Sequence, residues 1–566
     1  MGRFRRFFFG LVVALLLLWW LLPGAGPLVE PGSVLVIDLS GDYVETAEPP
    51  LLARLAGERI RPFAALLSDL RKAERDERLA GVVLRIRSLD IGWAKAQEMR
   101  NAIRSLGAAG RRTIAYLELE SLGANLEYFV ATGAETIHMA PGTRAPLVGL
   151  AAQYFFLGGL WEKLGIEFEV EAIGQYKNAA DVIAGRKMTE AHREVATALL
   201  DSIDAQFVAG IAEARGFSEA FVRDAIDQAP VSPEEMRALG LIDEVSFYDE
   251  VVDSLGDGPV IHGDRYAQVD PASLGFQPVA SFALVYGSGN VVMGRGSSSP
   301  SGAPVLAADT VSAAIDAAAE DDGIDAIIFR VDSPGGSALA SDMVWRAVER
   351  ARSSGKPVIA SFSDLAASGG YYVACGADAI VAEPSSLTGS IGVFVLRPVF
   401  AGMLEKLDIG VESQTRGAHA DLLVGSRPLS EASRARLRDE IQSIYDLFVE
   451  RVAAGRNLDP ERVDALGQGR VWTGAQAAEI GLVDELGGLR EAVNRAKQML
   501  DIDPAADVEL IPHPPPRSLR EQISEALKRV VVSELPLPRS ARRLEQWLAL
   551  ATGVPALVPP FVLDVR

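Results

Sequence analysis

Ser368 has the surroundings that nucleophilic chemistry needs. It lies in DLAASGGYYVACGADAI (364–380), directly after the apolar run PVIASFS and before a pattern typical of a helix. A serine acts as a nucleophile only when a base removes its proton and donors stabilise the oxyanion that forms. The Gly369 amide at the helix start is such a donor, and the glycines leave room for a substrate. Taken in isolation, a serine before Gly-Gly at a helix start is more typical of an ordinary N-cap, so this interpretation stays open beside the nucleophile.

A second glycine pair offers further oxyanion donors. The stretch VDSPGGSALAS places Gly335 and Gly336 between the apolar run AIIFRV and another helical pattern. We expect their backbone amides to complement that of Gly369, because two donors commonly share a developing oxyanion.

An earlier stretch, LGANLEYFVATGAETI (122–137), is a near copy of the serine segment with Asn125 in place of Ser368. Tyr128 with VATGAETI matches Tyr371 with VACGADAI at a shift of 243 positions, and EKLGI matches EKLDI at the same shift. The earlier counterpart of the SPGG segment, LRIRSLDIGWAKA, has lost the Gly-Gly pair. The joint loss of serine and glycines indicates a duplicated chain in which one copy is catalytic.

The base must come from elsewhere, because no histidine lies near Ser368 in the sequence. Aligning AIGQYKNAAD on QTRGAHADLL pairs Lys177 of the first copy with Ala420 of the second. A lysine amine acts as a general base when burial lowers its pKa towards neutrality. The alternative interpretation is a solvated surface lysine.

The elements that would position these residues alternate between strand-like and helical patterns, which predicts βαβ units and a largely parallel sheet. We place the N-terminal repeat, with the lysine, at 33–255 and the C-terminal repeat, with the serine and oxyanion glycines, at 281–497. A linker at 256–280 joins them. The tail at 498–566 contains amphipathic helical patterns that would lie on a membrane or dock on the body.

Composition and the N-terminus restrict the class of protein. A net charge of -21 opposes nucleic-acid binding, and a single cysteine, Cys375, excludes an intrachain disulfide and disfavours a zinc site. We interpret Cys375 as a small buried residue and expect neither metal nor cofactor.

Three arginines within residues 1–6 precede an apolar run, which predicts a cytoplasmic N-terminus and a transmembrane signal anchor at 7–27. A cleaved signal peptide is the alternative, and either places the body outside the cytoplasm.

The motifs SPGGS, ASGGYY, LTGSIGV, GQYK and VWTGAQAAEIGLVDELGG occur together in a duplicated chain. They resemble the long, two-repeat form of the bacterial signal peptide peptidase A (protease IV) family over about 33–500. The resemblance implies an α/β fold, a tandem duplication of a ClpP/crotonase-like domain. It also implies a Ser/Lys-dyad serine endopeptidase that degrades remnant signal peptides after signal peptidase has released them.

The family pattern implies that Ser368 is the nucleophile, Lys177 the general base, and Ser390 a hydrogen-bond partner of the lysine. Gly369 and the SPGG glycines would form the oxyanion hole. The implied partners are apolar unfolded peptides, the membrane and further copies of the chain as a homotetramer, with the body in the periplasm at the bacterial inner membrane. Two alternatives remain at this stage: a crotonase-type acyl-CoA enzyme and a non-catalytic exported scaffold.

Overall fold

The computed structural model of the chain describes residues 29–47, 60–121, 123–296, 303–515 and 556–557. The anchor predicted at 7–27 and the amphipathic helices predicted in the tail lie outside the described residues.

Strands alternate with helices through the N-terminal repeat, which confirms the α/β class. Its elements are β1 Ser33–Val44, β2 Ile60–Pro62, α1 Phe63–Arg75, β3 Leu79–Leu89, α2 Trp93–Ala108, β4 Thr113–Leu117, α3 Asn125–Ala131, β5 Thr136–Met139, α4 Gly158–Leu164, β6 Glu167–Ile173, α5 Ala179–Ala184, α6 Glu190–Arg215, α7 Glu219–Gln228, α8 Pro233–Ala238, β7 Glu244–Val245 and α9 Tyr248–Asp253.

The stretch predicted as a linker contains short elements of its own: β8 Val260–His262, α10 Gly263–Tyr266 and the 3₁₀ turn Pro271–Leu274. The elements that follow are β9 Pro278–Ser288, β10 Asn290–Val292, β11 Val305–Ala307, α11 Ala308–Glu320, β12 Ala326–Ser333, β13 Gly336–Ser337, α12 Ala338–Ser353, β14 Val358–Ala367, α13 Gly369–Tyr372, β15 Ala379–Ala382, β16 Leu387–Gly389, β17 Val393–Val399, α14 Ala401–Lys406, the 3₁₀ turn Ala420–Leu423, α15 Glu431–Arg456, α16 Pro460–Leu466, β18 Val471–Thr473, α17 Gly474–Glu479, β19 Glu485–Leu486, α18 Leu489–Met499, β20 Asp507–His513 and β21 Ala556–Leu557.

Each repeat is built on a parallel sheet with the same strand order. The order β1-β3-β4-β5-β7 in the first repeat corresponds to β9-β12-β14-β15-β19 in the second, and all of these pairs are parallel. The strands are apolar along most of their length because helices cover both faces of such a sheet. The repetition confirms that the chain is a tandem duplication of one α/β domain.

A third sheet joins the two repeats. Its order is β11-β10-β13-β21-β17-β6, and only β6 comes from the N-terminal repeat. β6 and β17 pair antiparallel over seven residues, from Glu167 opposite Val399 to Ile173 opposite Val393. This pairing carries the chain that follows β6 into the C-terminal repeat.

One helix within the described part of the chain, α6, is long and apolar enough to cross a membrane by length and composition. Its Ile203, Phe207 and Ile211 belong to the core of the N-terminal repeat, and Val195 and Leu199 pack on Val471. We therefore interpret α6 as a core helix that also contacts the second repeat.

Candidate active site

Ser368 and Ser390 follow the paired ends of two neighbouring strands. Ala367 at the end of β14 lies opposite Gly389 at the end of β16, and the Ser368 N–H donates to the Gly389 carbonyl at 2.7 Å. Both serines have positive φ, 56° for Ser368 and 54° for Ser390. Such a conformation costs a non-glycine residue about 1–3 kcal/mol and persists only where the surroundings impose it. The two strand ends therefore fix both serines side by side.

Ser368 precedes α13 but does not cap it. Its side chain makes no hydrogen bond to the helix amides, and the residue is completely buried. Ser368 Oγ instead lies 2.7 Å from Lys177 Nζ. This contact removes the N-cap as an explanation for the serine.

The β6–β17 pairing delivers Lys177 to this position. The chain leaves β6 at Ile173 and turns at Gly174, and the Tyr176 N–H donates to the Gln468 carbonyl at 2.8 Å. The next residue, Gly469, lies so close that a Cβ there would sit 2.5 Å from the Lys177 nitrogen. Glycine is therefore required at position 469, because any side chain would displace the lysine.

Lys177 is 3% exposed and has three oxygen neighbours. Its Nζ lies 2.7 Å from Ser368 Oγ and 2.9 Å from both the carbonyl oxygen and Oγ of Ser390. Burial lowers the pKa of Lys177 well below its ordinary value. A neutral amine has two N–H groups and one lone pair. It can donate both N–H groups to Ser390 and accept the Ser368 O–H.

The glycines predicted as oxyanion donors lie together beside Ser368. A Cβ on Gly369 would come within 3.0 Å of the Gly336 nitrogen and of the Gly335 Cα, so the two glycine segments touch backbone to backbone. The Gly335 amide donates to Ser333 Oγ at 3.1 Å. The Gly335 amide is thus engaged within its own loop, while the predicted oxyanion donors Gly369 and Gly336 lie next to each other beside Ser368.

A short piece of the chain itself lies beside these glycines. The strand β21 pairs antiparallel with Gly336 and Ser337 of β13 on one side and with Phe394 of β17 on the other. Its backbone fills the gap between the strand that holds an oxyanion glycine and the strand that follows Ser390. A short extended segment can therefore pair at this position between β13 and β17.

The equivalent place in the N-terminal repeat is closed. Asn125 stands at the serine position, donates from Nδ2 to the Gly149 carbonyl at 3.0 Å, and accepts the Val148 N–H at 3.1 Å. At the same shift of 243, Leu147 occupies the position of Ser390 and is completely buried. These groups tie the loop together and leave neither nucleophile nor lysine partner.

Cys375, interpreted from its sequence as a small buried residue, and His419 both have structural roles. Cys375 is buried, burial raises the pKa of its thiol to about 12, and its Sγ donates to the Tyr372 carbonyl. His419 Nδ1 lies 3.2 Å from Ser433 Oγ in the first turn of α15. Neither contacts Ser368 through these bonds.

The sequence reasoning missed Gly469 and Ser333, although each lies beside a motif that was recognised. Gly469 belongs to GQGR, immediately before VWTGAQAAEIGLVDELGG, and Ser333 begins SPGGS. A glycine between polar residues just before a strand was the available signal for a close backbone approach.

The sequence matches the family model described as Peptidase family S49 over residues 109–259 and 350–503, one stretch in each repeat. It is 33% identical to "Serine protease SPPA, chloroplastic" of Arabidopsis thaliana, with 93% of this chain and 78% of that protein covered. It is 28% identical to "Protease 4" of Haemophilus influenzae, with 83% and 79% covered. It is 27% identical to "Protease 4" of Salmonella typhi, with 85% and 81% covered.

Proposed function

Because the chain belongs to peptidase family S49 and is therefore a serine peptidase, we propose that it cleaves peptide bonds with a Ser368/Lys177 dyad. The family matches confirm the resemblance read from the motifs and do not support the acyl-CoA and scaffold alternatives. The observation that carries the proposed dyad is the 2.7 Å contact between Lys177 Nζ and Ser368 Oγ in a buried site.

In the proposed reaction the neutral Lys177 amine takes the proton of Ser368 as Oγ attacks the peptide carbonyl carbon. The amides of Gly369 and Gly336 stabilise the oxyanion of the tetrahedral intermediate. The Lys177 ammonium then donates its proton to the departing amine, which leaves an acyl-serine. Water, deprotonated by Lys177, hydrolyses this ester and restores the serine. The two Ser390 oxygens orient Lys177 throughout.

We propose that substrates bind in the position of β21, as an extended strand between β13 and β17. Main-chain pairing gives affinity without requiring a particular sequence. Met293, directly after β10, and Leu339, at the start of α12, are 49% and 62% exposed, so apolar side chains are available near these strands. Remnant signal peptides and other unfolded apolar peptides fit this combination.

The proposed location follows from the predicted anchor. With the arginines of residues 1–6 in the cytoplasm and residues 7–27 crossing the inner membrane, the peptidase body would face the periplasm. Released signal peptides partition into the same membrane because they are apolar. An anchored peptidase would therefore meet them at high local concentration.

We also propose that copies of the chain assemble head to tail, as a tetramer. The internal β6–β17 junction places Phe168 opposite Pro398. At the shift of 243, their counterparts are Val411 and Phe155, which are 49% and 68% exposed in segments without regular strands. The same junction formed between two chains would cover both residues, and repetition of such a heterologous contact closes a ring.

The peptidase proposal is tested with the full-length chain in detergent micelles. The substrates are an apolar peptide of about 20 residues, with the composition of a signal-peptide core, and a length-matched charged peptide. We expect the apolar peptide to be cut and a serine-reactive fluorophosphonate to label Ser368. Ser368→Ala should abolish both signals. Hydrolysis that survives Ser368→Ala would overturn the dyad, and equal cleavage of both peptides would overturn the apolar preference.

The assembly proposal is tested by light scattering on the wild-type chain and on Val411→Asp. We expect a tetramer for the wild type and smaller species for the variant. A matched control is Val231→Asp, because Val231 is 77% exposed and lies outside both segments. A wild type that is monomeric, or a Val411→Asp variant that remains tetrameric, would contradict the proposed contact.

A further inference from the structure

A second lysine of the N-terminal repeat is buried against the C-terminal repeat. Lys95, in the first turn of α2, is 5% exposed. Its Nζ lies 2.7 Å from Asp332 Oδ2 and 3.1 Å from Asp364 Oδ2. Asp364 also accepts the backbone N–H groups of Gly92 and Lys95, at 3.0 and 2.9 Å. The start of α2 and two carboxylates of the other repeat thus form one connected cluster.

These carboxylates lie where β12 and β14 depart from regular pairing. Val331 is opposite Phe362, but Ser333 is opposite Ala366, so β14 carries extra residues at this point. The Leu365 N–H donates to Asp332 Oδ1 at 3.2 Å across the irregularity. Bulges of this kind commonly redirect a side chain at a functional site.

Both strands lead directly into the proposed catalytic groups. Asp332 is followed by Ser333, which accepts the Gly335 amide, and then by Gly336. Asp364 lies four residues before Ser368. The Lys95 ammonium therefore contacts both the strand that leads to the oxyanion loop and the strand that leads to Ser368.

The two buried lysines have opposite electrostatic surroundings. Burial lowers the pKa of Lys177, and its hydrogen-bond partners are serine oxygens. Burial would also lower the pKa of Lys95, but Asp332 and Asp364 outweigh it and raise that pKa above its ordinary value. The surroundings therefore favour the ammonium form of Lys95 and the neutral amine form of Lys177.

We propose that Lys95 is a positioning residue for the peptidase reaction. Its ammonium neutralises the Asp332/Asp364 pair and holds the ends of β12 and β14 at the separation that brings Ser368 and the Gly336 amide to one substrate carbonyl. The inference rests on the proposed function and adds a second contribution of the non-catalytic repeat to the site. It also gives the segment that lost the Gly-Gly pair a role of its own.

The test compares Lys95→Met with Lys72→Met in the full-length chain. Lys72 is an equally buried lysine of the same repeat, but it bonds to Asp69 and to the carbonyls of Tyr266 and Ala267. For Lys95→Met we expect kcat to fall roughly tenfold to a hundredfold with KM nearly unchanged, since a misplaced nucleophile affects the chemical step. The rate of fluorophosphonate labelling at Ser368 should fall by the same factor. Lys72→Met should lower the unfolding temperature and leave kcat and the labelling rate unchanged.

Rescue variants distinguish a positioning role of Lys95 from a general contribution to the stability of the fold. Lys95→Arg keeps the cation and should recover part of kcat. Adding Asp364→Asn to Lys95→Met removes one of the two facing carboxylates and should also recover part of it. If Lys95→Met does not fold, Asp364→Asn alone is measured, and a lower labelling rate is expected because the lysine loses one of its two charge partners.

The outcomes that overturn the inference are distinct from those that overturn the dyad. A wild-type chain that hydrolyses peptides, together with a folded Lys95→Met variant of unchanged kcat and labelling rate, would overturn the role of Lys95 alone. Unchanged labelling in Asp364→Asn would do the same where Lys95→Met is not folded. A wild-type chain that neither cleaves peptides nor labels at Ser368 would overturn the proposed function itself.

Discussion

The two repeats share a strand order but differ in the residue at the serine position, which follows the third strand of that order, β4 or β14. In the C-terminal repeat this position is Ser368, buried and in contact with a lysine. In the N-terminal repeat it is Asn125, whose amide bonds to the Gly149 carbonyl and the Val148 N–H. One repeat therefore presents a hydroxyl to a base, while the other uses an amide to close its own loop.

The comparison extends to the junction between the repeats. β6 of the first repeat pairs with β17 of the second along seven residues. The counterparts of these strands, residues 410–416 and 150–156, are irregular within the chain. The shared strand order alone does not bring a serine and a lysine together. They meet where the lysine-bearing segment of one repeat is paired onto the serine-bearing repeat.

The largest expected effect comes from removing either member of the pair that distinguishes the repeats. Ser368→Ala and Lys177→Ala should each lower kcat for peptide hydrolysis by about 10⁴-fold or more, because nucleophile and base act as a unit. The double variant should be no worse than either single variant. Steady-state kinetics on a fluorogenic apolar peptide measures this. A Lys177→Ala variant with near wild-type kcat would show that the base lies elsewhere.

A smaller decrease in activity is expected from changing Ser390. Its counterpart in the N-terminal repeat is Leu147. Ser390→Ala removes one of the two oxygens that orient Lys177 but keeps the carbonyl oxygen. We expect kcat to fall about tenfold, since a misoriented base still functions part of the time. Pre-steady-state acylation rates measure the loss. A decrease as large as that of Lys177→Ala would mean that Ser390 participates in the chemistry directly.

The lowered pKa of Lys177 affects how the activity and the stability of the chain depend on pH. In the proposed dyad the neutral amine is the active form, so kcat/KM should rise as pH increases through the lowered pKa of Lys177. Because the unfolded chain binds this proton more tightly than the folded chain does, stability also rises with pH up to about 10.5. Lys177→Met should therefore raise the unfolding temperature at neutral pH, by about 2 °C or more.

Thermal unfolding followed by circular dichroism measures this difference, with Lys187→Met, an exposed lysine of the same repeat, as the control. The gain of Lys177→Met should shrink as pH approaches about 10.5. A gain that does not change with pH would contradict a lowered pKa of Lys177 in the folded chain.

The last prediction has the smallest expected effect and tests the comparison of the two repeats most directly. Asn125→Ser placed in the Ser368→Ala background should yield no peptidase activity. At the shift of 243 the counterparts of Ser390 and Lys177 are Leu147 and Ala420, so no lysine corresponds to the new hydroxyl. Fluorophosphonate labelling followed by peptide mapping is sensitive enough to detect a weak nucleophile. Labelling at position 125 would show that a serine on this scaffold needs no paired lysine.

Comparison of the two repeats in the sequence predicted those site residues that differ between them. Ser368 and Lys177 became candidates because their counterparts, Asn125 and Ala420, differ in chemistry at aligned positions. The duplication and the α/β class followed from strand and helix periodicity in the same way. These features are local in sequence or recur at a fixed shift.

The remaining features depend on contacts between distant segments and leave no local pattern. Gly469 is needed only because the Lys177 backbone passes against it. Lys95 is an ordinary helical lysine until the fold places Asp332 and Asp364 around its ammonium. The engagement of the Gly335 amide depends on the rotamer of Ser333, and the pairing of β21 with β13 joins segments far apart in the chain.

Lys177 precedes Ser368 by 191 positions in the chain, so the two residues are synthesised at different times. At ordinary rates of translation, about 5–20 residues per second, the lysine emerges roughly 10–40 seconds before the serine. During that interval the N-terminal repeat can fold, but it holds Lys177 without Ser368. Under the proposed dyad, peptide cleavage requires that Ser368 has been made and that β6 has paired with β17. The nascent chain would therefore gain its activity only after β17 has been synthesised.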